Sequence, residues 1–187
     1  MTRINLVRHG RAAAGWDTDA DPDLDAVGRA QATTAAEVLD PLGAPDPLAV
    51  ITSPLRRCRS TAAALCGRWG VSATVDDSIG EIPSPTFVAM GARVEWLRRV
   101  MQGTWADLGE PYTTFRGGVV ARIRAVDRDT VAFSHFVAIN AVIGACIGDD
   151  RLVIRRLDNC SITVVDVSPS GALTLIEGGH EADTLIR

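Results

Sequence analysis

The feature that narrows the fold most is a unit used three times: a short apolar run, a polar tip, then a stretch with helical character. Ile4 to Val7 ends in Arg8, His9 and Gly10. Leu48 to Ile51 is followed by Thr52, Ser53 and Pro54, and Thr130 to Phe133 closes on Ser134 and His135. Short apolar runs bounded by polar residues read as buried strands. Ser53 is placed to cap a helix with Pro54 at its first position. That helix is expected to pass through LRRCRSTAAALC and to stop at Gly67. After His135, FVAINAVIGACIG is apolar on nearly all faces, which predicts a buried helix.

Between these units, Gly28 to Leu39, Phe87 to Met101 and the stretch from Val119 to Val126 carry apolar residues at helical spacing. A short strand is expected over Ala73 to Val75. Ser161 to Val167 and Ala172 to Ile176, joined by the turn-like SPSG, read as a β-hairpin. Alternating strands and helices predict an α/β fold, a three-layer α/β/α sandwich with a mostly parallel sheet and antiparallel pairing near the C-terminus. No linker or repeat calls for a domain cut, so residues 1–187 are expected to form one domain.

Composition removes several function classes. The formal charge is −4, which offers no broad attraction for nucleic acid, so an anionic ligand must be held locally. All 19 basic residues are arginine, which excludes a Schiff-base lysine and a Walker lysine. The four cysteines, Cys58, Cys66, Cys146 and Cys160, form no CxxC pair and read as buried thiols of a reducing compartment. None has an arginine six positions later, so the cysteine phosphatase loop is missing. The N-terminal apolar run is too short for a signal peptide and no stretch could span a bilayer, so a cytoplasmic location is expected.

In open α/β sheets ligands bind beyond the carboxyl ends of strands, where following helices aim their backbone N–H groups and positive dipole ends. Arg8 and Arg57 supply planar forks suited to phosphate oxygens. Taken singly, either histidine could cap a backbone group, and arginines in a first helical turn are usually solvated. Two of the chain's three histidines ending predicted strands beside such arginines point to a phosphate pocket.

The ordered blocks LVRHG, LDAVGRAQA, SPLRRCRSTA, FSHFVAIN and LDNCSIT resemble those of the histidine phosphatase superfamily, which includes the phosphoglycerate mutases, and cover most of the chain. The resemblance implies that His9 is the nucleophile that becomes phosphohistidine, flanked by Arg8. It further implies that Arg57 rather than Arg56 grips the phosphate, that His135 is the second pocket histidine, and that Glu81 is the general acid. Glu81 follows the expected strand and precedes the Pro83 and Pro85 turn; as a residue alone, it also reads as a surface carboxylate. Gly10 and Ser134 join Arg8 and Arg57 as implied substrate contacts. Neither a metal nor a cofactor is implied.

The chain departs from mutase-type members where RAAAG follows RHG instead of E-S-x-x-N, and where EIPSPT lacks W-E-G. The favoured reading is a phosphomonoesterase acting on a small phosphorylated metabolite, with phosphate as its ligand and oligomeric state left open. Alternatives are phosphoglycerate mutase-type transfer, a phosphatase of phosphohistidine proteins, and a catalytically silent phosphate-binding module. The aspartates at 17, 19, 21, 23 and 25 lack calcium-loop context and read as a solvated acidic rim. GRAAAG lacks the residues of a P-loop, and His180 is expected to be non-catalytic. Phe87 to Trp105 reads as a core face that also shapes substrate choice.

Overall fold

Ile4, Leu6 and Val7 lie in the first strand, β1 (Thr2–Arg8), where alternate side chains must leave opposite faces of the sheet. A computed structural model describes residues 1–182. Its strands are β1, β2 (Ala49–Thr52), β3 (Thr74–Val75), β4 (Thr130–Ser134), β5 (Ile162–Val167) and β6 (Leu173–Gly178). They form a sheet in the order β3-β2-β4-β1-β5-β6. The pairs from β3 to β1 are parallel, while β5 joins β1 antiparallel and pairs antiparallel with β6.

The helices are α1 (Ala26–Leu39), α2 (Arg56–Trp69), α3 (Arg93–Val100), α4 (Trp105–Leu108), α5 (Tyr112–Arg124) and α6 (Phe136–Ile147). Two cores separate by strand parity. Val7, Val50, Val131 and Phe133 pack with Ala36 and Leu39 of α1 and with Cys58 and Leu65 of α2. Ile4, Leu6, Ile51 and Ala132 pack on the other face with Ile123 of α5 and Ile139 and Ile143 of α6. Helices on both faces of a mostly parallel sheet make the expected three-layer α/β/α sandwich. Among the described residues no helix is long and apolar enough to cross a membrane.

Several element boundaries differ from the sequence expectation. Ser53 and Pro54 precede α2 without entering it: Leu55 is the N-cap in extended backbone, and the Ser53 hydroxyl is committed to His135 at 2.8 Å. Gly67 does not stop the helix, which it enters at a cost of about 1 kcal/mol relative to alanine. Gly70 ends it at φ 67°, in the left-handed region that glycine reaches freely, with its N–H on the Cys66 carbonyl. The helix expected over Phe87 to Met101 is only α3, preceded by a 3-10 turn at Met90–Ala92. Phe87 and Met90 are exposed, so their helical spacing has no face to bury. Helix α1 begins ahead of Gly28 because the Asp25 carboxylate caps the Gly28 N–H, and α5 begins well before Val119.

The acidic rim is also less solvated than expected. Asp25 receives Arg11 as well as the Gly28 N–H, Asp23 receives Arg29, and Asp21 accepts the Arg56 N–H. These bonds tie the loop across the starts of α1 and α2.

Candidate active site

Parallel register between β1 and β4 pairs Val7 with Phe133 and Arg8 with Ser134, so the next residues on each strand, His9 and His135, emerge side by side. Their rings stand 5.2 Å apart at 62°. The His9 N–H donates to the Ser134 carbonyl at 3.1 Å, and the Ser53 N–H to the Phe133 carbonyl at 2.9 Å, locking three strand ends together. A parallel sheet thereby converts distant sequence positions into one cluster.

His9 is buried, and burial, reinforced by the charges of Arg57, His135 and Arg8, holds its pKa well below the usual value. The ring is therefore neutral near pH 7. Its Nδ1–H donates to the Gly10 carbonyl at 2.8 Å, leaving the Nε2 lone pair to accept from Arg57 Nε at 3.2 Å. The backbone thus selects the tautomer whose nucleophilic nitrogen faces the cleft.

His135 is fully enclosed. Its Nδ1 lies 3.2 Å from Glu81 Oε2 and its Nε2 2.8 Å from the Ser53 hydroxyl. A proton on Nδ1 satisfies both contacts. Burial lowers the His135 pKa against the opposing pull of Glu81. Glu81 Oε2 also receives Arg57 Nη2 at 3.2 Å, while Oε1 accepts the Ile82 N–H at 3.0 Å. Burial pushes the Glu81 carboxyl up, but His135 and Arg57 outweigh it and hold the group well below the usual carboxylate range. The free site therefore carries an ionised Glu81, not the protonated form that the expected general-acid role requires. Ile79 and Ile82 on either side of Glu81 are buried.

The two arginines are buried with donors to spare. Arg8 Nη1 donates to the Leu157 carbonyl at 2.6 Å and its guanidinium lies 5.1 Å from the Phe136 ring centroid. Arg8 Nε and Arg57 Nη1 have no protein partner. An unsatisfied buried charge-bearing donor costs free energy that a bound anion recovers. Burial also lowers the Arg8 pKa to about 10, which leaves it charged at neutral pH. Two guanidinium charges against one carboxylate make the pocket electropositive.

The cleft holds about 70 Å³, and Arg8, His9, Arg57, Glu81 and Asn159 line it. Gly10 and Ser134 do not line it. The Gly10 N–H goes to Thr61 Oγ1, and a Cβ there would fall 2.5 Å from the Gly28 carbonyl oxygen, so glycine serves close packing of the loop on α1. Ser134 is a strut, its hydroxyl donating to the Ile79 carbonyl at 2.7 Å. His135 sits behind the lining, against Glu81 and Arg57. His180 is exposed and contributes only its carbonyl, to the Asp158 N–H.

Sequence reasoning missed Asn159, whose amide donates to the His9 carbonyl at 3.0 Å. The LDNCSIT block contains it, and a polar residue just before the hairpin was the available signal. Cys160 beside it holds φ 58° and donates its N–H to the Arg8 carbonyl at 3.0 Å, pinning this turn to the end of β1. Trp16, Pro22, Leu97, Phe136 and Val137 also line the cleft. Val94, Trp96, Leu97 and Trp105 are buried, and Leu97 also lines the cleft.

His9, Glu81 and His135 offer ligand atoms within 4.8 Å of one another, a spacing compatible with a metal ion. Arg8 and Arg57 oppose a dication there and favour an anion. Cys58 Sγ lies 3.4 Å from His135 Nε2, but burial pushes its thiol far up, so it is no nucleophile.

The cluster lies at the carboxyl edge of an α/β/α sheet, and its open arginine donors suit an anion. The sequence model of the histidine phosphatase superfamily (branch 1) matches residues 4–176. Over 168 residues the chain is 30% identical to a glucosyl-3-phosphoglycerate phosphatase of Mycolicibacterium vanbaalenii, covering 82% of this chain and 68% of that protein. A glucosyl-3-phosphoglycerate phosphatase of Mycobacterium tuberculosis is 31% identical over 144 residues, 70% of this chain and 60% of that one. The fold matches that of a mycobacterial glucosyl-3-phosphoglycerate phosphatase bound to VO3 with TM-score 0.77 and 23% identity, over 97% of this chain and 100% of the other. The chain belongs to the histidine phosphatase superfamily, and is a phosphatase of that type.

Proposed function

We propose that residues 1–187 act as one domain that hydrolyses a small phosphorylated metabolite through a phosphohistidine on His9. The observation that carries this reading is a buried neutral imidazole, anchored at Nδ1, with Nε2 turned toward two arginines that keep unpartnered donors. The mycobacterial relatives, named for a small phosphorylated substrate, support the substrate class.

In the first step the phosphate enters between Arg8 and Arg57, and Arg57 Nε transfers its hydrogen bond from His9 to a phosphate oxygen. His9 Nε2 then forms a bond to phosphorus as the bond to the ester oxygen breaks. The guanidinium groups stabilise charge on the transferring group. The bound dianion competes with Glu81 for Arg57 Nη2 and cancels the charge that held the carboxyl down. Burial then favours its protonated form, so the carboxylate takes up a proton from solvent as the substrate binds and delivers it to the departing alkoxide. Glu81, ionised again, takes a proton from water as that water's oxygen attacks the phosphohistidine, releasing phosphate and restoring His9. His135 holds Glu81 in place from behind.

The test is hydrolysis of p-nitrophenyl phosphate in EDTA by the wild type and by His9→Ala. Metal-independent turnover that the variant lacks supports the reading, as does a base-stable, acid-labile phosphoenzyme trapped from the wild type. Phosphate binding without turnover by the wild type would instead mark a silent binding module.

A further inference from the structure

The cleft sets its charged groups beside a largely apolar wall. Trp16, Pro22, Leu97, Phe136 and Val137 line it, together with the small side chains of Ala12 and Ala14. Arg11 also reaches this wall, but its Nε already donates to Asp25 at 2.6 Å.

Trp16 is braced from behind. Its ring lies 6.3 Å from that of Trp96 at 54°, and Trp96 lies 5.5 Å from Tyr112. Trp96 and Tyr112 are buried members of the core at α3 and the start of α5. An aromatic side chain held this way offers a flat apolar face with little rotamer freedom left to lose on binding.

Resting on the phosphomonoesterase reading above, we propose that this wall selects monoesters whose alcohol carries a flat apolar group, and that Trp16 is a specificity-determining residue for that group. A hydroxyl carried to the apolar side chains of this wall gives up water without gaining a partner, which penalises polyol esters.

The experiment compares 2-phenylethyl phosphate with glycerol 3-phosphate on the full chain; both release a primary alcohol, so leaving-group chemistry is closely matched. The expected kcat/KM ratio is about tenfold or more in favour of the phenylethyl ester, carried mostly by KM. Equal or better turnover of the glycerol ester overturns the proposal. Trp16→Ala is expected to bring the ratio toward one, whereas Trp16→Phe, which keeps a ring against Trp96, retains most of it. An unchanged ratio in a folded Trp16→Ala protein removes Trp16 from the role. If no ester is turned over, p-nitrophenyl phosphate included, the catalytic reading fails on its own. Calorimetry with 2-phenylethylphosphonate and 3-hydroxypropylphosphonate then decides the wall: tighter binding of the aromatic ligand supports it, and equal binding overturns it.

Discussion

Strand β1 carries an arginine near each end, and the two are treated in opposite ways. Arg3 is half exposed and pairs in two-pronged fashion with Asp166, Nε to Oδ1 at 2.9 Å and Nη2 to Oδ2 at 3.0 Å. Arg8 is buried, has no facing carboxylate within bonding distance among the described contacts, and keeps Nε unpartnered. The Asp166 hydrogen bond raises the Arg3 pKa, while burial lowers that of Arg8. One end of the strand is finished as a surface; the other is left unfinished for an anion. Functional sites store such unmet demand, and its cost is spread over the surrounding core.

The largest effect expected from breaking the unfinished end is on His9. His9→Ala should reduce kcat for p-nitrophenyl phosphate by about 10³-fold or more, since no other side chain at the site can form the covalent intermediate. Residual activity within tenfold of wild type would refute the covalent route.

Next comes Arg8→Met, expected to lower kcat/KM by about 10²–10³-fold, the scale for losing an electrostatic donor to the transferring group. The same change should leave the melting temperature unchanged or raised, because it removes a buried charge whose Nε has no partner. Loss of both activity and stability would mean that the Leu157 contact and the Phe136 stack outweigh that burial cost.

A smaller effect is expected in the pH dependence of unfolding. The folded pKa of His9 lies below its ordinary 6.5, so below that pH the unfolded chain binds a proton that the folded chain refuses. Stability from this group is full above pH 6.5 and falls as the pH drops toward the folded value. Glu81, also depressed, adds its loss below its ordinary 4.5. Melting curves of His9→Asn between pH 6.5 and 5 should show a shallower decline than wild type. An equal slope would mean that His9 is not held neutral by burial.

The smallest functional effect belongs to the finished end. Arg3→Met should leave kcat/KM within about twofold, and its modest loss of stability should shrink in high salt, as for exposed ion pairs. A large loss of activity would show that the two ends of β1 are coupled.

The contrast also explains what could be read from the chain. Strand tips and the hairpin were legible because each is a local run of residue types, and β5 and β6 formed where alternation and SPSG placed them. Ser53 was misread for a local reason: serine before proline is a common cap, yet the hydroxyl answers to His135, a residue 82 positions away. Gly10 and Ser134 were legible as site-adjacent, but their partners, Thr61 and Ile79, make them supports. Asn159 left only a faint signal, a polar residue ahead of the hairpin, and Trp16 left none, since their settings depend on the carbonyl of His9 and the ring of Trp96.

The amino-acid order alone determined the alternation of strand and helix, the class of chemistry at the strand tips and the family, because period, turn residues and short motifs are properties of neighbours in sequence. Tertiary structure decided that His9 is neutral with Nε2 free for chemistry, that Glu81 is ionised before substrate arrives, and that two arginines keep open donors. Burial and the distances between charges set those states, and both exist only after remote segments have packed together.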